Sequence, residues 1–420
     1  MSSPDYAKLR GIPGTAVAAK ARLYDDPRKR SLLFFLQSLS LKESGLRGAA
    51  RRLLTKFPAY CENELTDLLV ELCINPKLII RFSDKRVVSE DRSMLPAVKV
   101  LDALREFQER FEASIQADFV LTTIGKEIFE TLDYALATGK MVVIEGESGS
   151  GKTTAAEAWC AAHQGQTRFI SLSGINHKTG FFRKLAIAIG LSAAKSKAMD
   201  MQVRVEDFFR RTRLMLVIDE AHYLWPQYQR SYTSPELIDW VNTALVNHNV
   251  PVALICTDQF AKLKARVEKR TGWTSEQFEH RVKRYRKLPS TPTKEDLQRV
   301  AAKLLAVKWN AREQTWNIAG AAPNPDYIKM IVGYALTCKM RLPAVAATVE
   351  EARFQARENG RSEVIATDIR SALFDHQIAS DEALQQTFDP PRDLPKHVIP
   401  SPSKLAVASG LQWRCSRLAS

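Results

Sequence analysis

Eight consecutive residues set the terms for this fold: Gly146-Glu147-Ser148-Gly149-Ser150-Gly151-Lys152-Thr153 fits G-x-x-x-x-G-K-[ST] without a gap. A short, fully apolar run, Met141–Ile144, comes before it, and a good helix-forming stretch, Thr154–Ala162, comes after. Strand, glycine turn and helix in that order form a phosphate cradle. The glycines let backbone N–H groups turn inward, and the helix start adds its positive end at the same place. Gly146 to Thr154 are therefore candidates for nucleotide contact: Gly146, Glu147, Ser148, Gly149, Ser150, Gly151, Lys152, Thr153 and Thr154. The spacing predicts that Lys152 reaches the β- and γ-phosphates and that the Thr153 hydroxyl ligates Mg²⁺. ATP and Mg²⁺ are the expected cofactors.

Three further apolar runs have the same character: Thr167–Leu172, Leu214–Ile218 and Val252–Cys256. Helical patterns separate all four, which predicts a parallel sheet covered on both faces. The third run leads into Asp219-Glu220-Ala221-His222. An acidic pair there is either a helix N-cap or a metal-and-water site. Its place at the carboxyl end of a strand, one unit after the glycine turn, favours chemistry: Asp219 for the Mg²⁺ shell and Glu220 as general base. His222 carries no assigned role. The fourth run ends in Cys256-Thr257-Asp258, where Thr257 is a candidate for touching the terminal phosphate or the water. A turn-starting Thr-Asp fits the same residues.

Elsewhere the chain is less specific. Residues 1–26 are punctuated by Gly, Pro and Ala and read as flexible. Residues 27–92 read as a helical N-terminal domain, with Leu46, Ala49, Ala50, Leu53 and Leu54, then Leu65, Leu68, Leu69 and Leu72, at helical spacing. A hairpin of Ile79–Phe82 with Val87-Val88 would make this domain winged-helix-like; a small helical docking module fits equally. Residues 93–117 read as a helical linker, 118–292 as the α/β core, 293–380 as an entirely helical lid, and 381–420, rich in Pro and Ser, as an extended or disordered tail. No apolar run approaches the ~18–20 residues of a membrane helix, and the first thirty residues lack a secretory signal's apolar core. Six scattered cysteines form no CxxC pair, as in a reducing compartment, so a cytoplasmic location is expected.

The glycine turn, the Leu214–His222 segment and the Thr257 strand end resemble the AAA+ ATPases. The lead-in Ala117–Thr123, a helix, and then strand and glycine turn are similar to the transposition-regulator branch of that family. The resemblance spans roughly residues 119–375. It implies a P-loop AAA+ core with a helical lid, working as a ring or helical filament in which an arginine of one subunit reaches its neighbour's γ-phosphate. The stretch Phe278–Pro289 occupies that arginine's place before the last strand and reads as a basic helix, with Arg281 the first choice and Arg284 the second. Arg341 matches the lid arginine, although Cys338 stands where the family has glycine and Pro343 follows closely. Loops leaving the second strand face the central channel in this branch, which makes Asn176, His177, Lys178 and Thr179 candidates for DNA contact.

The net charge of +14 fits a polyanion partner. Together these features lead to an expectation: ATP-dependent binding of duplex DNA with little sequence preference, self-assembly, and target selection for a transposase, with a targeting factor as a further partner and no membrane. Two alternatives remain open at this level. One is a nucleotide switch in phage defence or secretion without DNA. The other is a replication-initiator or helicase-loader ATPase.

Overall fold

The apolar runs divide residue by residue between two hydrophobic clusters, as a doubly covered sheet requires. Met141, Val143, Leu216, Ile218, Val252 and Leu254 point into one cluster, and Val142, Ile144, Met215, Val217, Ala253 and Ile255 into the other. The computed structural model describes residues 14–21, 27–42, 46–54, 86–88, 94–175, 177–192, 197–226, 234–310, 314–318 and 322–375. In it the helices α1 (Gly14–Ala21), α2 (Pro27–Lys42) and α3 (Leu46–Leu54) precede a small antiparallel hairpin, β1 (Arg86–Val88) with β2 (Met94–Pro96). Next come α4 (Ala97–Asp118), α5 (Thr123–Thr138), β3 (Met141–Glu145), α6 (Lys152–Ala162), β4 (Thr167–Ser171), α7 (Lys178–Ala188), α8 (Ala198–Thr212), β5 (Met215–Asp219), a 3₁₀ turn (Ala221–Leu224) and α9 (Glu236–Trp240). The core closes with β6 (Val252–Cys256), α10 (Gln259–Thr271), α11 (Glu276–Arg281) and β7 (Val282–Lys287).

The five-stranded sheet runs in the order β4-β5-β6-β3-β7, all parallel. Strand β3 lies between β6 and β7, so the glycine turn leaves the carboxyl edge of an inner strand, with the end of β6 beside it and that of β5 one strand beyond. Helix α5 is bounded as its sequence dictates. Thr122 Oγ1 accepts the Gly125 N–H at 3.0 Å, and Gly139 closes the helix in the left-handed region at φ 69°.

Four local readings are corrected. Gly14–Ala21, read within a flexible stretch, is a helix whose Val17 and Ala18 are buried in the core cluster. A Cβ at Gly14 would meet the Ile189 carbonyl oxygen at 2.2 Å, so the backbones touch there. The fifth strand, β7, lies inside the stretch read as a basic helix: its residues, four of the six cationic, alternate between half-exposed and exposed and lack the apolar signature of a buried strand. Val87-Val88 pairs with Leu95 and Met94, while Ile79–Phe82 and the Leu65–Leu72 pattern lie outside the described residues, as does the tail 381–420. Finally, the lid is not entirely helical. Between α12 (Lys294–Leu305) and α13 (Pro325–Thr337) it carries a hairpin, β8 (Val307–Asn310) with β9 (Thr315–Ile318). Trp309 and Trp316 pair across it with ring centroids 5.6 Å apart. Helices α14 (Arg341–Glu358) and α15 (Ala366–Asp375) complete the lid, which has its own apolar core.

The first helices share the core of the α/β sheet instead of forming a separate one. Leu32 to Leu36, Leu39, Ala49 and Ala50 belong to the same cluster as Met141 and Ile218. Arg168 on edge strand β4 pins α2 by donating to the Phe34 carbonyl at 3.1 Å and to Gln37 Oε1 at 2.8 Å. Burial pushes its guanidinium down to about 10. A buried carboxylate links lid and core. Asp296 accepts the Thr123 N–H at the start of α5 at 3.0 Å and forms a reciprocal capping box with Thr293 on α12.

Candidate nucleotide site

The glycine turn leaves β3 through Gly146, whose N–H donates to the Cys256 carbonyl of β6 at 3.1 Å. Gly149 and Gly151 take φ values of 77° and 86°, a region that side chains resist, so the turn needs glycine at both. Gly151 is the N-cap of α6 and has no side chain to satisfy the helix's first N–H groups, which leaves them directed at an anion. Lys152 is buried and folds back on the turn, donating to the Gly146 carbonyl at 2.9 Å and to the Glu147 carbonyl at 2.6 Å. Burial lowers its pKa, and Asp219 and Glu220 only partly offset this. A desolvated ammonium with no carboxylate at bonding distance among the described residues is suited to receive phosphate oxygens.

Thr153 Oγ1 donates to Asp219 Oδ2 at 2.7 Å. This brings together the two residues expected to share a metal ion, one from α6 and one from the end of β5. Glu220 follows in the left-handed region at φ 53°. A non-glycine residue held there is strained, and such strain collects at functional sites. His222 Nδ1 lies 3.2 Å from Glu220 Oε2. Burial lowers the imidazole pKa against the pull of Glu220, which favours the neutral ring. On the other side, Thr257 Oγ1 is buried with no hydrogen-bond partner. An orphaned hydroxyl at this strand end, beside a buried cation and two carboxylates, fits a site built for a triphosphate, its metal and a water.

The lid reaches the same turn. Met340 and Leu342, the neighbours of Arg341, seat against Gly149 and Gly151: a Cβ built on those glycines would lie 2.9 Å and 3.1 Å from their side chains. Arg341 itself opens α14. Pro343 falls in that helix's first turn, where its missing N–H costs nothing.

The remaining expected residues are less concentrated. Arg281 ends α11 and donates to Asn247 Oδ1 at 2.9 Å. Arg284 is on strand β7, not on a helix, and its guanidinium stacks 3.8 Å from the ring centroid of its own chain's Tyr134. His177 is the exposed N-cap of α7. Lys178 pairs with Glu236 at 3.4 Å, Thr179 is half-exposed, and Asn176 lies outside the described residues. Sequence reasoning missed Glu145, Tyr285, Met340 and Leu342, because each acts through the glycine turn across strands or domains and none belongs to a local motif. Tyr285 donates its hydroxyl proton to Glu145.

Parts of the chain are similar to known proteins. A family model described as "AAA domain" matches residues 136–263. The chain is similar to the Mu-like prophage FluMu DNA transposition protein B of Haemophilus influenzae, with 24% identity over 106 residues; the match covers 25% of this chain and 37% of that protein. Among solved structures, the Aeropyrum pernix ORC2 protein in ADPNP–ADP complexes is similar at a TM-score of 0.45 and 14% identity, over 62% of this chain and 69% of that one. The Thermotoga maritima RuvB Holliday junction branch migration motor is similar at a TM-score of 0.34 and 16% identity, over 60% and 67%. Among the described residues no helix is long and apolar enough to cross a membrane. With its glycine turn and paired acids on one parallel sheet and a lid seated on the turn, the chain carries a match to the AAA domain over residues 136–263 and is similar, over a quarter of its length, to a Mu-like DNA transposition protein.

Proposed function

We infer that the chain is an ATP-dependent DNA-binding protein that assembles on duplex DNA as a ring or helical filament. In that state it marks target sites for a transposase, and hydrolysis drives disassembly. The observation that carries the catalytic half is the Thr153–Asp219 contact at 2.7 Å with Glu220 adjacent in sequence. The name of the Mu-like relative, a DNA transposition protein, supports the biological half.

In this reading Lys152 binds the β- and γ-phosphates, and Thr153 and Asp219 hold Mg²⁺. The metal, when bound, neutralises phosphate charge as the γ-phosphoryl group departs. Glu220 takes the proton of the attacking water, and Thr257 supplies a hydroxyl to that water or to the terminal phosphate. Arg281, at the end of a short helix, is the first candidate to act on a neighbour's nucleotide. Arg284 would have to leave Tyr134 to do so. Arg341 senses the nucleotide from the lid. Loss of the γ-phosphate removes the arginine's contact and weakens the subunit interface, so hydrolysis times disassembly. Asn176, His177, Lys178 and Thr179 track the phosphate backbone without reading bases, with Lys178 exchanging Glu236 for phosphate. A transposase and a targeting factor complete the partners, and the setting is cytoplasmic.

Electron microscopy of the protein with Mg·ATP and duplex DNA tests the assembly. Rings or filaments are expected; monomers alone at saturating nucleotide would contradict it.

A further inference from the structure

Residues 259–287 carry ten lysines and arginines against three glutamates, a surplus of seven, half of the chain's +14. The fold disposes of several of these cations internally. Lys264 pairs with Glu279. Arg281 bonds Asn247, Lys283 donates to the His280 carbonyl at 2.9 Å, Arg284 stacks on Tyr134, and Arg286 lies 3.6 Å from Glu127. Lys287 is exposed at the end of β7, and the remaining four lie on helix α10. Its inward face is Phe260, Leu263 and Val267. Lys262, Arg266, Lys269 and Arg270 are all exposed, and at 100° per residue they fall on one flank of the helix. Glu268 is on the other flank, where it accepts the Ser275 N–H at 3.2 Å.

Helix stability does not explain this row. Lys262 with Arg266, and Arg266 with Arg270, are like charges at i,i+4, which destabilise a helix. The macrodipole favours Lys269 and Arg270 in the last turn but gives nothing to Lys262 or Arg266. Only Lys262 has a carboxylate partner, the exposed Asp258 at 2.5 Å. Arg266, Lys269 and Arg270 have none among the described residues. An unbalanced row of long cations on a rigid, well-packed helix presents donors at a fixed pitch to a repeating anion.

We propose that the outer flank of α10, formed by Lys262, Arg266, Lys269 and Arg270, is a phosphate-backbone contact surface for duplex DNA, separate from the Asn176–Thr179 loop. This rests on the reading of the chain as a DNA-binding protein and adds the surface that supplies most of the salt-sensitive affinity. Phosphate contacts of this kind position a duplex without reading its sequence.

The test is fluorescence anisotropy with a mixed-sequence duplex and Mg·ATP across a salt series, using the full chain. Changing all four residues to Gln is expected to lower the slope of log K against log salt by about 2–4, at about 0.9 for each phosphate no longer neutralised. A matched variant removing four other exposed cations, Lys126, Lys140, Lys294 and Lys329, is expected to keep the wild-type slope. Both variants must bind nucleotide as wild type does. If wild type binds DNA and the α10 variant has an unchanged slope, or the slope falls equally in both variants, the surface is overturned and the DNA-binding reading stands. If wild type binds no duplex, the DNA-binding reading itself fails. Competition by polyglutamate as effective as by duplex would overturn DNA as the ligand in favour of an acidic protein.

Discussion

Tyr285 on the edge strand β7 donates its hydroxyl proton to Glu145, the last residue of the neighbouring strand β3 before the glycine turn. Just past the end of β7, the Leu288 N–H donates to the Glu145 carbonyl at 2.8 Å, and the Leu288 side chain packs on Gly146. The strand that follows Arg281 is thus fastened to the root of the phosphate cradle. Partial burial and the Glu145 hydrogen bond both raise the tyrosine pKa, so the phenol stays a donor through neutral pH. Tyr285→Phe is expected to cost about 1–3 kcal/mol in urea unfolding, the value of a hydrogen bond to a charged group. It is also expected to weaken nucleotide binding by less than about tenfold. An unchanged midpoint and affinity would mean the link transmits nothing.

Lys152 pays a desolvation cost in the absence of phosphate. Its lowered pKa means that the charged form is disfavoured by folding below that pKa. The penalty is present at neutral pH and fades as the group deprotonates at high pH. Lys152→Met is therefore expected to melt within a few degrees of wild type, or above it, without nucleotide. At about 100 Kd of Mg·ATP, wild type gains about 2.7 kcal/mol and the variant gains nothing. Calorimetry with and without nucleotide checks both halves.

Asp296 latches the lid to the core. Burial alone would raise its pKa, but hydrogen bonds from Thr123, Thr293 and Arg299 outweigh it and hold the pKa below the usual 3.8. A depressed carboxylate contributes stability above its unfolded pKa and loses it as pH falls through the folded value. Lid docking is thus expected to be level from pH 5 upward and to weaken below about pH 4. Asp296→Ala is expected to cost about 2–4 kcal/mol, since it strands the Thr123 and Thr293 N–H groups. Hydrogen exchange at Thr123 reports the release.

Gly165 seats α2. A Cβ there would meet Ser31 Oγ at 2.3 Å and the Ser31 carbonyl oxygen at 2.5 Å. Gly165→Val is expected to lift α2 from the sheet and expose it to limited proteolysis, with a stability loss of about 1–3 kcal/mol. A wild-type digestion pattern would show that α2 is not held there.

The candidate nucleotide site was legible because its residues are local: the glycine turn, Lys152 and Thr153 are contiguous, and Asp219-Glu220 announces itself at the end of an apolar strand. What escaped were relationships that need the third dimension. β7 reads as a charged helix because an edge strand crowded with basic residues carries no apolar alternation. The Trp309–Trp316 hairpin is two four-residue strands, too short for periodicity to register. Val17 and Ala18 look like part of a loose leader until α1 is seen against α8. The Tyr285–Glu145 bond joins residues 140 positions apart, and no local pattern encodes it.

The central claim is that the glycine turn holds a triphosphate and that Glu220 governs its cleavage. Single-turnover phosphate release from Mg·ATP on duplex DNA, comparing wild type with Glu220→Gln, measures this directly. Equal nucleotide affinity is predicted for the two proteins, with release by the variant slowed at least ~10²-fold, the scale of a general base. Equal release rates, or a wild-type protein that neither retains nor cleaves the nucleotide, would contradict the account.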